Sequence, residues 1–66
     1  MKIQLLRDIS SIKTKAGVVL YGEKGQVLKA MERENKESII VYGKKAAGNF
    51  ILFTKDEKVK YKIIDV

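Results

Sequence analysis

The chain contains no cysteine, histidine, proline or tryptophan among its 66 residues. Without cysteine and histidine it has no disulfides, no zinc-finger ligand set and no Cys–His or Ser–His catalytic pair. Small secreted domains usually depend on disulfides, so this absence favours a reducing compartment, and we expect a cytoplasmic protein. Residues 1–66 are enough for one small domain, whose stability has to come from close packing of its apolar residues.

Long hydrophobic runs are also missing. The apolar stretches at residues 17–21 and 50–53 are far shorter than the roughly 20 residues that span a bilayer. At the N-terminus, polar residues interrupt the apolar ones before a signal-peptide core can form. The sequence therefore predicts no membrane segment and no signal peptide.

Positive charge dominates the composition. Fourteen Lys and Arg residues oppose eight acidic ones, which gives a net charge of +6. All but Arg7 and Arg33 are lysines, and lysine acts as a point charge towards phosphate, whereas bidentate contact with a guanine edge favours arginine. The expected partners are therefore a nucleic-acid backbone or an acidic protein surface.

The hydrophobic pattern predicts an all-β domain of five or six short strands. Alternating or β-branched segments at residues 2–6, 18–21, 38–42, 50–54 and 59–63 are bounded by glycines and polar clusters. So many short strands in so short a chain favour a small closed barrel, in which strand edges vanish. The expected core consists of Ile3, Leu5, Val27, Ile39, Val41, Leu52, Val59, Tyr61 and Ile63.

Three further expectations follow from the same pattern. Ile9 and Ile12 are expected to lie over the core from a loop. The lysines at 58, 60 and 62 are expected to form a ladder on the outer face of the last strand, available for binding or serving to protect a strand edge. Residues 26–34 fit either a strand or a helix; we favour the strand, and the alternative is an α+β domain with a helix at residues 26–34.

The order of strand, irregular loop, Gly-rich turn, two meander hairpins, short turn and final strand resembles the SH3-like small barrels. Within it, the segment Gly22-Glu23-Lys24-Gly25-Gln26-Val27-Leu28-Lys29, followed by residues 35–43, is similar to the KOW motif of ribosomal and transcription-elongation barrels. This resemblance implies an SH3-like barrel and contact with nucleic acid. The chain also has a short Met-Lys-Ile opening strand, many lysines and a Tyr-Lys-Ile-Ile ending. In these features it is similar to small barrels encoded by bacteriophages and mobile elements of Gram-positive bacteria.

Four lysines and two tyrosines form the candidate binding site. Lys44 and Lys45 lie in a predicted loop, and Lys24 and Lys29 lie on a predicted neighbouring turn and strand. Together they are expected to make a cationic rim around Tyr21 or Tyr42, where bases stack on the aromatic ring while lysines hold phosphates. The alternative is that the lysines only keep the protein soluble and the tyrosines fill its core.

Catalytic motifs are lacking. Asp56 and Glu57 are adjacent, so in a strand their side chains would point to opposite faces and could not act on one bond. The glycines Gly22 and Gly25 lack the Gly-Lys-Ser/Thr ending of a phosphate-binding loop and are expected to be turn residues. We therefore expect no enzyme, cofactor or metal, but a binding module that contacts nucleic acid without sequence preference. The alternative is a small protein-binding module, such as a phage-encoded modulator of a host protein.

Overall fold

A computed structural model describes residues 1–65, and it contains β-strands and one short 3₁₀ turn. The expectation of a mainly β domain is confirmed, and most of the region 26–34 forms a strand, not a helix. The strands are β1 (Lys2–Leu5), β2 (Ile9–Ser10), β3 (Leu20–Gly22), β4 (Val27–Glu32), β5 (Ser38–Val41), β6 (Phe50–Phe53) and β7 (Tyr61–Asp65), with the 3₁₀ turn at Thr54–Asp56. No helix in this part of the chain is long and apolar enough to cross a membrane.

Five of the strands form one antiparallel sheet in the order β6-β5-β4-β1-β7. β4, β5 and β6 follow one another as hairpins, and β7 returns to pair with β1. The short strands β2 and β3 pair with each other inside the long connection between β1 and β4. Within residues 1–65, β6 and β7 are the outer strands and do not pair, so the described sheet is open and the expected loss of strand edges is not observed.

The inner face of this sheet carries the core. Cross-strand pairs such as Ile3 with Leu28 and Val41 with Phe50 place apolar side chains opposite one another. Six of the nine residues expected in the core are buried, and Leu28, Ala30 and Phe50 complete it. The buried apolar residues are Ile3, Leu5, Leu28, Ala30, Ile39, Val41, Phe50, Leu52 and Tyr61.

The prediction that Val27 is buried is wrong, because β4 has the opposite phase. Leu28 and Ala30 face the core, while the side chains of Val27 and Met31 are 41% and 52% exposed. Side chains alternate between the two faces, so burying Val27 and Met31 would also bury the charge of Lys29. The observed phase leaves that charge in water at the cost of exposing two apolar residues.

The last strand starts two residues later than expected, and Val59 is half exposed. Lys58 has a φ of 72°, the left-handed region that interrupts a strand. The N–H groups of Val59 and Lys60 both donate to the Asp56 carbonyl, which makes this segment a turn. The predicted lysine ladder is therefore wrong, since Lys62 is its one member within a strand.

Two further apolar residues lie outside the positions expected for them. Ile63 faces Ile3 across the β1–β7 pair but stays 38% exposed, because in the described part of the chain β7 is an outer strand with no neighbour on its far side. Ile12 is 87% exposed and does not cover the core. Ile9 packs against the core as expected, but from the short strand β2 and not from a loop.

Candidate nucleic-acid interface

Three neighbouring strands bring lysines and a tyrosine together on the outer face of the sheet. Lys2 of β1 lies directly opposite Lys29 of β4. The N–H of Tyr42, the residue after β5, donates to the Lys29 carbonyl at 2.9 Å, so Tyr42 continues the same row. Lys44 borders a groove of about 420 Å³ that Lys2, Lys29 and Tyr42 also line. We call Lys2, Lys29, Tyr42 and Lys44 the lysine–tyrosine face.

The facing lysines Lys2 and Lys29 occupy the closely spaced type of cross-strand position. The N–H of Ala30 donates to the Met1 carbonyl at 2.9 Å, and hydrogen-bonded and non-hydrogen-bonded pairs alternate in antiparallel sheets. The next pair, Lys2 with Lys29, is therefore non-hydrogen-bonded, which brings their side chains closer. Like charges directly opposite each other destabilise a sheet. Asp65 lies across from Lys2 on the other side, yet within residues 1–65 neither lysine forms an ion pair with it.

Tyr42 is 42% exposed and separates two grooves. The first groove is the one bordered by Lys44, and Val27 contributes to its apolar wall. The second groove, of about 450 Å³, contains Met31, whose Sδ lies 3.9 Å from the Tyr42 hydroxyl. Both grooves are lined by Lys2, Lys29 and Tyr42, so the cationic row is flanked by apolar surface on both sides.

A tight turn after β5 fixes the position of Lys44. A Cβ atom on Gly43 would overlap the carbonyl oxygen of Gly48, so that this position requires glycine. The N–H of Gly48 in turn donates to the Lys45 carbonyl at 2.9 Å. The loop therefore folds back on itself and presents Lys44 beside the first groove.

The structure places the other two predicted lysines beside acidic groups. The Lys45 ammonium forms an ion pair with Glu23. Lys24 follows Glu23 in the turn, and its backbone N–H donates to the Asp8 carboxylate at 2.8 Å. Glu23 thus partly balances the charge of Lys45, and neither Lys24 nor Lys45 lines the two grooves at Tyr42.

Tyr21 lies apart from the lysine–tyrosine face. It is half-buried and stacks on Phe50, with ring centroids 5.7 Å apart and an interplanar angle of 29°. It lines a separate groove of about 430 Å³ that also contains Ile9, Ile51 and Phe53. Of the six predicted site residues, the structure therefore brings Lys29, Lys44 and Tyr42 together and separates Lys24, Lys45 and Tyr21 from them.

Sequence reasoning missed Lys2 and the apolar walls of the grooves. Lys2 joins the site because β1 pairs with β4, a contact between residues far apart in the chain. The alternation of Lys2 with the buried Ile3 was a usable signal for an outward side chain. Val27 was missed because it was expected in the core, and Met31 was assigned to neither the core nor the site.

The acidic residues near the 3₁₀ turn affect the buried Tyr61. Burial, together with the negative charges of Glu57 and Asp56, raises the pKa of Tyr61 above its ordinary value of 10.0. Asp56 also forms an ion pair with Lys60 at 3.5 Å. Within residues 1–65, the acidic side chains form no cluster of three or more that could hold a metal ion.

Comparisons with protein-family models, with curated proteins and with solved structures give no match to this chain. They therefore offer no relative from which a role for the lysine–tyrosine face could be transferred.

Proposed function

We propose that this protein is a non-enzymatic module that binds nucleic acid through the lysine–tyrosine face. The observation that carries the proposal is the row of Lys2, Lys29 and Tyr42 across three strands. Two lysines held opposite each other weaken the sheet, and a bound phosphate would relieve their repulsion. An exposed aromatic ring beside them offers a surface on which a base can stack.

The chemistry of the face favours binding without sequence preference. Its charged members are lysines, which contact phosphates as point charges and carry no information about the base. The two arginines, Arg7 and Arg33, do not line the two grooves beside Tyr42. We therefore expect similar affinity for oligonucleotides of different sequence.

We also propose that the fold is an SH3-like barrel. The strand order supports this proposal, because three strands follow as hairpins and the last strand returns beside the first. The 3₁₀ turn between β6 and the last strand and the long connection after the first strand agree with the same arrangement. The KOW-like residues 22–43 cover β4 and β5, which carry Lys29 and lead into Tyr42.

The test is the affinity of labelled oligonucleotides for a variant in which Lys2, Lys29 and Lys44 are all changed to Gln. Fluorescence anisotropy at about 50 mM salt should show tight binding by the unmodified protein and a large loss in the variant, because phosphate contacts are strongest at low salt.

A matched control removes the same charge elsewhere. Lys13, Lys15 and Lys36 are exposed and lie in other loops, so changing all three to Gln should lower affinity much less. Equal losses in the two triple variants would show that only net charge matters. If the unmodified protein binds neither DNA nor RNA at about 50 mM salt, the proposal is wrong.

A second candidate function, protein binding, is favoured by the outer edge of β6. The N–H of Thr54 donates to the Glu37 carbonyl at 2.9 Å, so by alternation the backbone groups of Ile51 and Phe53 point away from β5. Their side chains are 47% and 53% exposed and line the groove beside Tyr21. Such an edge accepts an extended peptide as an added strand.

The two candidates are separated by an Ile51→Lys variant, which places a charge on the β6 edge. A protein-binding role predicts that a partner captured from nuclease-treated extract is lost in this variant and retained by the Lys2, Lys29 and Lys44 triple variant. The nucleic-acid role predicts that oligonucleotide binding is lost in the Lys2, Lys29 and Lys44 triple variant and retained by Ile51→Lys.

A further inference from the structure

We infer that the lysine–tyrosine face binds single-stranded nucleic acid in preference to a duplex, with a phosphate on the Lys2–Lys29 pair and bases in the two grooves beside it. This inference rests on the proposed nucleic-acid function and narrows it to one class of ligand.

The apolar walls of the grooves carry the inference. Val27 and Met31 are 41% and 52% exposed, one in each groove, and Tyr42 between them is 42% exposed. A duplex keeps its bases stacked inside and offers such a surface mainly phosphates, which gain nothing from apolar contact. Unpaired bases have free π-faces that stack on aromatic and apolar side chains.

The spacing of charged and apolar groups matches a nucleotide, in which phosphate and base are neighbours. Lys2 and Lys29 lie opposite each other on adjacent strands and Tyr42 lies across from Lys29, so the aromatic residue is the next member of the same row, with strands about 4.7–4.9 Å apart. Val27 and Met31 are four residues apart on β4, which corresponds to about 13 Å of strand. A short single strand lying along β4 would therefore place bases in both grooves, and its backbone would cross the cationic row between them.

The two grooves also differ in charge. Lys44 borders the groove with Val27, whereas Asp65 borders the groove with Met31. A carboxylate repels phosphate but tolerates an uncharged base. The phosphates are therefore expected to lie towards Lys44, and Asp65→Asn should increase affinity.

The experiment compares a single-stranded oligothymidylate with a duplex of the same length at about 50 mM salt, by fluorescence anisotropy. The unmodified protein should bind the single strand more tightly. Tyr42→Ala should lower single-strand affinity by about 5- to 150-fold, the loss expected for one stacked base, and change duplex affinity by less than about twofold. Tyr42→Phe keeps the ring and should retain single-strand affinity.

Tyr21→Phe serves as a matched control, because Tyr21 lies outside both grooves and the substitution keeps its stack on Phe50. A Tyr42→Ala variant that melts like the unmodified protein shows that the loss is not unfolding. A duplex bound as tightly as the single strand, or an equal loss for both in Tyr42→Ala, would overturn the inference and leave the proposed function standing. Binding to neither oligonucleotide would instead refute the proposed function itself.

Discussion

The dipeptide Tyr-Gly occurs twice in this chain, as Tyr21-Gly22 and Tyr42-Gly43, and the two tyrosines have opposite surroundings. Tyr21 is half-buried against Phe50, whereas Tyr42 is 42% exposed and stands beside lysines. Local sequence does not distinguish them. The difference is set by tertiary contacts, because Phe50 of the other sheet stacks on Tyr21, whereas Tyr42 lies across from Lys29 of the neighbouring strand β4.

The predicted site lysines also differ in their acidic neighbours. At the turn after Tyr21, Glu23 and Asp8 contact Lys45 and the backbone of Lys24. On the lysine–tyrosine face, within residues 1–65, Lys2, Lys29 and Lys44 form no ion pairs. Glu23 therefore offsets the charge of Lys45, whereas the lysines of the lysine–tyrosine face remain available to a ligand.

The largest expected effect on stability tests which residues of β4 face the core. Because side chains alternate along the strand, burial of Leu28 means that Lys29 faces outward. Leu28→Ala should cost about 2–5 kcal/mol in the free energy of unfolding, because it empties part of the core. Val27→Ala should cost less than about 1 kcal/mol, since its side chain is 41% exposed. Urea denaturation measures both, and equal costs would contradict the assigned phase.

The next effect compares the tyrosines directly. Tyr21→Ala removes a half-buried ring and its stack on Phe50, and should cost about 2 kcal/mol in the free energy of unfolding. Tyr42→Ala should cost less than about 1 kcal/mol. A thermal melt of each variant checks this, and a larger loss in Tyr42→Ala would mean that Tyr42 is a structural residue.

How much was predictable from the sequence depends on the range of the interactions involved. β1, β5 and β6 were found because their alternation or β-branched runs are bounded by clear turns. The phase of β4 was misjudged because Ala30 is a weak core signal, and the start of β7 because the left-handed φ of Lys58 leaves no mark in the hydrophobic pattern.

The candidate site was predictable only in part for a related reason. Lys29, Lys44 and Tyr42 belong to neighbouring hairpin segments, and their proximity follows from local chain order. Lys2 enters through pairing of β1 with β4, which the sequence of either strand does not specify. The separation of Tyr21 from Tyr42 likewise depends on tertiary packing.

A smaller effect concerns the repulsion between Lys2 and Lys29. Lys29→Gln should raise the free energy of unfolding by about 0.2–1 kcal/mol at low salt, because it removes a like-charge cross-strand pair. The same variant should bind nucleic acid less tightly, so stability and affinity should change in opposite directions. A variant that is less stable in low salt would show that the pair is not repulsive.

The last effect concerns Tyr61, the most deeply buried of the three tyrosines. Its raised pKa means that the folded state favours the protonated phenol. The resulting stability is fully present below the ordinary pKa of 10.0 and is lost as pH rises through the raised value. The phenylalanine in Tyr61→Phe cannot ionise. Above about pH 10, the free energy of unfolding measured by urea denaturation should therefore fall more steeply with pH for the unmodified protein than for the variant. Parallel declines would indicate that ionisation of Tyr61 does not contribute to the loss of stability.

The most direct test of the central claim is the salt dependence of oligonucleotide affinity between about 50 and 200 mM. If Lys2, Lys29 and Lys44 contact phosphates, changing all three to Gln should flatten the slope of log K against log salt by roughly 0.7 to 0.9 per lost contact. The control variant at Lys13, Lys15 and Lys36 should keep the slope of the unmodified protein. An unchanged slope in the first variant, or the same reduction in both, would contradict the assignment of the lysine–tyrosine face as the binding site.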